Sequence, residues 1–229
     1  VIALHKFNFD LSVWDIFGTL AAGATLVMPA DGRVKDMSYV AELCASQGVT
    51  VWNSVPTWVA MLLEYARGRP VLERCCLRLF MMSGDAIPAD LPVSIKDVLS
   101  VQRGEDGPQP EVQVMCVGGP TEDTIWSMAY LFTHRDPSWK LVPYGGPVQN
   151  MQVHILDSQM RPVPAFAVGE IYFSGVGVAR GYWGNPELTA ERFPTVDGVR
   201  MHRSGDLGRF VLTSTGDEDV NGYVEILGR

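Results

Sequence analysis

This chain of 229 residues has little of several things that would narrow its chemistry. Its four cysteines, Cys44, Cys75, Cys76 and Cys116, form no CxxC pair, and a chain with 47% hydrophobic residues needs no disulfide staple; reduced thiols and a cytoplasmic setting are expected. The four histidines, His5, His134, His154 and His202, have no metal-ligand spacing with one another or with cysteine, so no metal cage is assigned. Basic residues are outnumbered, 18 against 26 acidic, for a net charge of -8, and no basic stripe offers itself to a polyanion; nucleic acid is excluded as a partner. No apolar run spans a bilayer, because the stretch from Val13 to Met28 is broken by Asp15, Gly18, Gly23 and Thr25. There is no internal repeat and no low-complexity tract, and because the sequence opens on Val1 without a charged-then-apolar leader and stops just after a strand-like run, both ends are expected to be cuts rather than natural termini.

What is present reads as an α/β chain. In the first part, helical periods alternate with short apolar runs, the pattern of a mainly parallel sheet with crossover helices. Val13, Ile16, Phe17 and Leu20 fall on one helical face behind a Ser12 cap, with Gly23 ending the helix before a strand from Ala24 to Met28. A helix with Met37, Val40, Ala41 and Cys44 inward leads into Val49 to Trp52, and another helix carries Trp58, Met61, Leu62 and Tyr65. Strands are expected at Leu77 to Met82 and Val112 to Cys116, with a polar surface loop from Gln102 to Pro110. After about Val142 the texture changes to short alternating runs, Val153 to Leu156 and Glu170 to Phe173, punctuated by glycine and proline. This second part reads as antiparallel and barrel-like, with Asn221-Gly222 as a tight turn before the last strand. Two parts are therefore expected, residues 1–142 and 143–229.

Asn53, Ser83 with Gly84, and Val117 with Gly118 each follow an expected strand. In open α/β sheets ligands collect beyond the carboxyl ends of strands, so these residues are placed around one crevice. Asp10, in Phe9-Asp10-Leu11-Ser12, stands at a strand-to-helix junction, where a carboxylate either caps the helix or pairs with an ammonium group. In Gly118-Gly119-Pro120-Thr121-Glu122 the paired glycines let a ligand approach the backbone, and a following helix start would offer amides to phosphate oxygens. Glu122 suits a magnesium ion there, although a plain glycine turn is the competing reading. The glycines from Ser174 to Gly181 have the wrong spacing for a dinucleotide fingerprint and read as a structural loop. Asp206, on a glycine turn after His202-Arg203-Ser204-Gly205, suits a ribose diol or an ordinary Asx turn.

In order, Phe9-Asp10-Leu11-Ser12, Gly119-Pro120-Thr121-Glu122, Gly169-Glu170-Ile171, Gly177-Val178-Ala179-Arg180-Gly181-Tyr182, Pro186-Glu187-Leu188-Thr189, Arg192-Phe193, Arg203-Ser204-Gly205-Asp206-Leu207 and Gly228-Arg229 resemble the adenylation domains of non-ribosomal peptide synthetases, within the adenylate-forming superfamily. The resemblance covers nearly the whole chain. It implies an amino-acid carboxylate attacking the ATP α-phosphate to give an aminoacyl adenylate, which a carrier-domain phosphopantetheine thiol then takes. It implies that Asp10 holds the substrate ammonium, that Thr121 and Glu122 handle phosphate and magnesium, and that Asp206 holds the ribose. Gly84, Asp85 and Ala86 would flank the adenine beside Gly118 and Gly119, and Arg229 would stand at a hinge near the nucleotide.

By the same resemblance Leu11, Trp14, Asn53, Met81, Ser83, Val117, Ile125 and Trp126 line the side-chain pocket. The set is most similar to that of cysteine-activating domains; serine and glycine stay open, as do an acyl- or aryl-acid CoA ligase and a degenerate docking domain. The chain departs from the family at Gly118, where an aromatic residue usually stands, so stacking there is expected to be replaced by backbone contact. A glycine-rich phosphate loop would precede Val1 and a small domain with a catalytic lysine would follow Arg229. None of Lys6, Lys35, Lys96 or Lys140 matches that lysine, so the segment alone is expected to be inactive. Implied neighbours are a carrier domain and a condensation or cyclisation domain, with an MbtH-like protein and an inserted methyltransferase domain as family options.

Overall fold

The computed structural model describes residues 1–103, 111–213 and 221–228. The expected loop from Gln102 to Pro110 lies largely outside them, and its first two residues belong to a helix. Contacts divide the chain into two compact units, Val1–Cys116 with Leu131–Val142, and Val117–Tyr130 with Pro143–Arg229. The second of these units takes in Val117–Tyr130 as well as the residues after 142.

The first unit begins with a short helical stretch, α1 (Leu11–Val13), a π turn over Trp14–Gly18, and α2 (Thr19–Ala21). Ser12 lies inside this helix and does not cap it, donating its hydroxyl back to the Phe9 carbonyl at 2.7 Å. The expected inward face is turned outward. Val13, Phe17 and Leu20 are exposed, while Ser12, Asp15 and Thr19 are buried. The strand expected from Ala24 to Met28 shrinks to one parallel bridge between Val27 and Ile2.

α3 (Met37–Ser46) is capped by Asp36, which accepts the Tyr39 amide, and it buries Met37, Val40, Ala41 and Cys44 as its period predicts. β1 (Val51–Ser54) follows, then α4 (Pro56–Ala66), which opens on proline and buries Val59, Leu62 and Leu63. Met61, expected on the inward face of that helix, is 39% exposed, so the buried face is turned from the expected one. β2 (Leu79–Met82), α5 (Leu91–Arg103) and β3 (Gln113–Gly118) complete the crossover pattern. β2 pairs in parallel with both β1 and β3, with Trp52 opposite Phe80 and Asn53 opposite Met81. The registers place Trp52 and Phe80 on one face, their rings stacked at 6.3 Å, and Asn53 and Met81 on the other. Both faces of β1 are buried, as a parallel strand between helices requires. Asn53 lies within β1, not after it, and Val117 and Gly118 lie within β3.

In the second unit β4 (Met128–Leu131) pairs antiparallel with β5 (Gly146–Pro147). A larger antiparallel sheet runs β10-β9-β7-β6, from β6 (Met151–Leu156), β7 (Gly169–Gly175), β9 (Val199–Thr213) and β10 (Asn221–Gly228). Helix α6 (Pro186–Arg192) and the two-residue strand β8 (Thr195–Val196) fall between β7 and β9. The sheet is open, so the barrel-like expectation is corrected to an antiparallel layer. Its core is Met128, Met151, Ile171, Phe173 and Val224, each such burial being worth roughly 1.5–3 kcal/mol. Asn221 and Gly222 are not a turn, because they pair with Thr213 and Leu212 as part of β10; the acidic connection, residues 214–220, is outside the described residues.

Candidate active site

In the first unit the site residues gather at the start of the α1 helix and along one face of β1 and β2. Asp10 takes the N-cap position, yet its backbone is already helical (φ -62°, ψ -26°) and its side chain makes no capping bond. Leu11 is buried behind it, and the Trp14 ring lies forward along its own helix, about 3.1 Å from where a Cβ on Gly18 would stand. Beyond β2, Ser83 is buried and Gly84 turns the chain with φ +80°. A Cβ on Gly84 would meet Phe9 Cζ at 3.2 Å, Val55 Cγ1 at 3.3 Å and Leu11 Cδ1 at 3.9 Å, so the Phe9-Asp10-Leu11 segment and the end of β2 are brought together. Asp85 accepts the Ala86 amide at 2.7 Å, and Gly84, Asp85 and Ala86 are exposed.

A polar network behind this corner carries no signal in the residue pattern. Asp15 is 1% exposed; one carboxylate oxygen faces His5 Nδ1 at 2.7 Å and the other accepts the Asn53 side-chain amide at 2.8 Å. His5 and Asp15 were not expected at the site, and only the burial of a charged residue on the wrong face of an amphipathic helix could have pointed to them.

In the second unit the Gly-Gly-Pro segment is held by close packing. A Cβ on Gly118 would run into the Tyr144 ring, and one on Gly119 would come within 2.6 Å of the Ser127 amide nitrogen. An aromatic ring therefore does stand beside Gly118, supplied from another part of the chain. No α-helix follows Pro120. Thr121–Asp123 form a single 3-10 turn, after which Thr124 and Ile125 both take left-handed backbone, φ 61° and 69°. The expected helix-terminus cradle for phosphate is absent, and the two strained residues cost about 1–3 kcal/mol each, which the surrounding contacts must offset. Thr124 Oγ1 donates to the Gly177 carbonyl at 2.6 Å and Ala179 donates its amide to the Glu122 carbonyl at 2.7 Å. The glycine-rich loop after β7 thus braces this turn and sets Ile125 and Trp126, both half-buried.

Glu122 opens on a cleft of about 290 Å³ with Tyr182, Arg192, His202, Arg203 and Ser204 around it. The Tyr182 hydroxyl donates to its carboxylate at 2.6 Å. Burial pushes the Glu122 carboxyl up, but the Tyr182 bond, its own backbone amide and the nearby His202 and Arg192 outweigh that, so it stays below the ordinary glutamate range. Burial and the Glu122 carboxylate conversely push the Tyr182 hydroxyl up to about 12. Behind them Asp123 and His202, 1% and 3% exposed, meet at 2.8 Å, and Phe193 lies against the imidazole at 5.0 Å. Burial raises the Asp123 carboxyl despite that partner.

Asp206 is not on a turn. Gly205 (φ +80°) lies within β9 where the pairing with β7 slips, a bulge that places Asp206, its amide held by Ser204 Oγ at 3.1 Å. Arg229 lies outside the described residues. Thr121 is exposed and Val117 is buried in β3. Among the described residues no three His, Cys, Asp or Glu side chains gather as a metal cage. A lone carboxylate at a cleft still fits magnesium, which keeps its waters and takes one or two carboxylates plus phosphate oxygens. No helix among those residues is long and apolar enough to cross a membrane, and all four cysteines are free thiols.

Residues 1–183 match the family described as AMP-binding enzyme. Pyochelin synthetase PchF of Pseudomonas aeruginosa is 38% identical over 230 residues, covering 100% of this chain and 12% of that protein. Bacitracin synthase 1 of Bacillus licheniformis is 34% identical, again over 100% of this chain but 4% of its own length. The chain thus spans a small fraction of these relatives. Among solved structures, the non-ribosomal peptide synthetase FmoA3 in its α-methyl-L-serine-AMP-bound form superposes with TM-score 0.86 at 38% identity, covering 100% of this chain and 24% of that one. Vibrio cholerae AlmE, an adenylation domain in complex with glycyl-adenosine-5'-phosphate, gives 0.79 at 28% identity, over 100% of this chain and 40% of that one.

Proposed function

The chain belongs to the AMP-binding enzyme family, with its likeness to the adenylation domains of non-ribosomal peptide synthetases, and from that premise we propose that it activates an amino acid, L-cysteine, as the aminoacyl adenylate. The observation that carries the reading is Asp10. Its carboxylate begins a helix without capping it, which leaves the ammonium-pairing role favoured over the dull one. Pairing of that half-buried carboxylate with a substrate ammonium disfavours an acyl- or aryl-acid ligase, whose substrates carry no amine.

In the first unit Leu11, Trp14, Asn53, Met81 and Ser83 are the residues proposed to contact the substrate side chain, with Trp14 bulky and Asn53 and Ser83 polar; in the second unit the resemblance gives that role to Val117, Ile125 and Trp126. Glu122, oriented by Tyr182, would hold magnesium, which when bound offsets phosphate charge; Thr121 would contact the phosphates. Asp206 would take the ribose hydroxyls, Gly84, Asp85, Ala86, Gly118 and Gly119 the adenine, and Arg229 the hinge. Transfer to a carrier-domain phosphopantetheine thiol completes the reaction in a larger synthetase with a condensation or cyclisation domain. An MbtH-like helper and an inserted methyltransferase domain fit the same setting.

The test is amino-acid-dependent pyrophosphate exchange by the full-length protein. Cysteine should give the highest kcat/KM, and Asp10→Ala should abolish exchange; equal or better turnover with serine or glycine removes cysteine, and acid-dependent activity surviving Asp10→Ala removes amino-acid activation. Serine is the second reading, favoured by the α-methyl-L-serine adenylate in the FmoA3 neighbour.

A further inference from the structure

Asn53 is 0% exposed and donates its side-chain amide to Asp15 at 2.8 Å, while its Oδ1 is buried with no hydrogen-bond partner. We infer that Asp15, anchored by His5, is a positioning residue that fixes the Asn53 amide with its oxygen turned toward the substrate side chain, so that the site selects amino acids whose side chain ends in a hydrogen-bond donor. The inference rests on the proposed pocket and goes beyond it by naming what sets the pocket's polarity.

An ionised carboxylate only accepts, so both groups that touch Asp15 must donate. His5 therefore carries its proton on Nδ1, 2.7 Å from one Asp15 oxygen, and Asn53 must offer NH2 to the other. The two ends of an asparagine amide are nearly the same shape, and a neighbour able to donate as well as accept would let the group flip. Asp15 removes that freedom. The Phe9 ring meets the His5 ring edge to face at 5.6 Å, fixing the imidazole from its other side. Asn53 also pairs in register with Met81, and Ser83 follows two residues on, so all three stand on one face of the sheet. A substrate S–H or O–H satisfies a buried acceptor there, whereas a methyl of the same size leaves it orphaned.

The comparison that reads this is L-cysteine against L-2-aminobutyrate, which replaces the thiol by a methyl, measured as the ratio of kcat/KM in pyrophosphate exchange by the full-length protein. If serine is the better substrate, serine against alanine takes its place. The wild-type ratio should be about 10 or more, Asn53→Leu should bring it to about 1, and Asp15→Asn, which lets the amide flip, should lower it about 3–10-fold, mostly through KM for the donor substrate. A purely structural role for Asp15 would slow both substrates in parallel and leave the ratio unmoved; that result overturns the inference, as does an Asn53→Leu ratio equal to wild type. Should Asp15→Asn fail to fold, His5→Gln reads the same quantity, a fall of about 2-fold or more supporting the inference and an unchanged ratio overturning it. Absence of any amino-acid-dependent exchange in the wild type would instead sink the proposed function, and this inference with it.

Discussion

Each unit buries one histidine against one aspartate, and the pairs differ in how they are completed. In the first unit both Asp15 oxygens are used, one by His5 and one by Asn53. In the second, Asp123 uses one oxygen on His202 and leaves Oδ1 buried without a partner, and burial lifts its carboxyl above the ordinary range. The same two residue types therefore serve unlike ends. In the first, both oxygens of the aspartate join a helix to a sheet, so its loss strands two donors; the second holds an aspartate partly against its own ionisation, next to the cleft on which Glu122 opens.

Removing the junction should have the larger effect. Asp15→Ala leaves the His5 and Asn53 donors buried without an acceptor and should cost about 3–5 kcal/mol, read as faster hydrogen exchange of β1 amides in the full-length protein. Asp123→Ala strands only His202 and also removes the orphaned oxygen, so a loss of about 1–3 kcal/mol is expected at β9. An equal or greater loss for Asp123→Ala would erase the contrast. The smallest effect should come from His154, whose partner is the Ser174 hydroxyl at 2.8 Å and which contains no carboxylate in its pair. Burial lowers its pKa below 6.5, so the unfolded chain binds more protons as pH falls through that value, and stability should drop on acidification from about 6.5 down through the folded pKa. His154→Gln should flatten this acid slope in an unfolding titration, and a slope left unchanged would assign it elsewhere.

The contrast also explains what could be read from the residues. α3 was legible because its inward residues, Met37, Val40, Ala41 and Cys44, are apolar and its cap is an ordinary aspartate. The strand pairs in the second unit were legible for the same reason, with Ile171 and Phe173 on one face and Tyr172 on the other. The inward face of the Leu11–Ala21 helix is not legible in the same way, because its buried side carries Ser12, Asp15 and Thr19, and hydrophobic periodicity points away from a polar junction. The Gly118 to Glu122 motif was visible, but its backbone was not. Nothing local announces left-handed Thr124 and Ile125, which are imposed by the loop at Gly177 and Ala179, more than fifty residues later. At Gly205 a glycine before aspartate signals a turn as readily as the bulge found there.

Tyr144 and Gly118 occupy a single ring's worth of room between them. An enlarged residue at 118 and an intact tyrosine at 144 are mutually exclusive, so these two positions can change only as an exchange: a ring introduced at 118 is tolerated when the one at 144 is surrendered, and each change alone is worse than both.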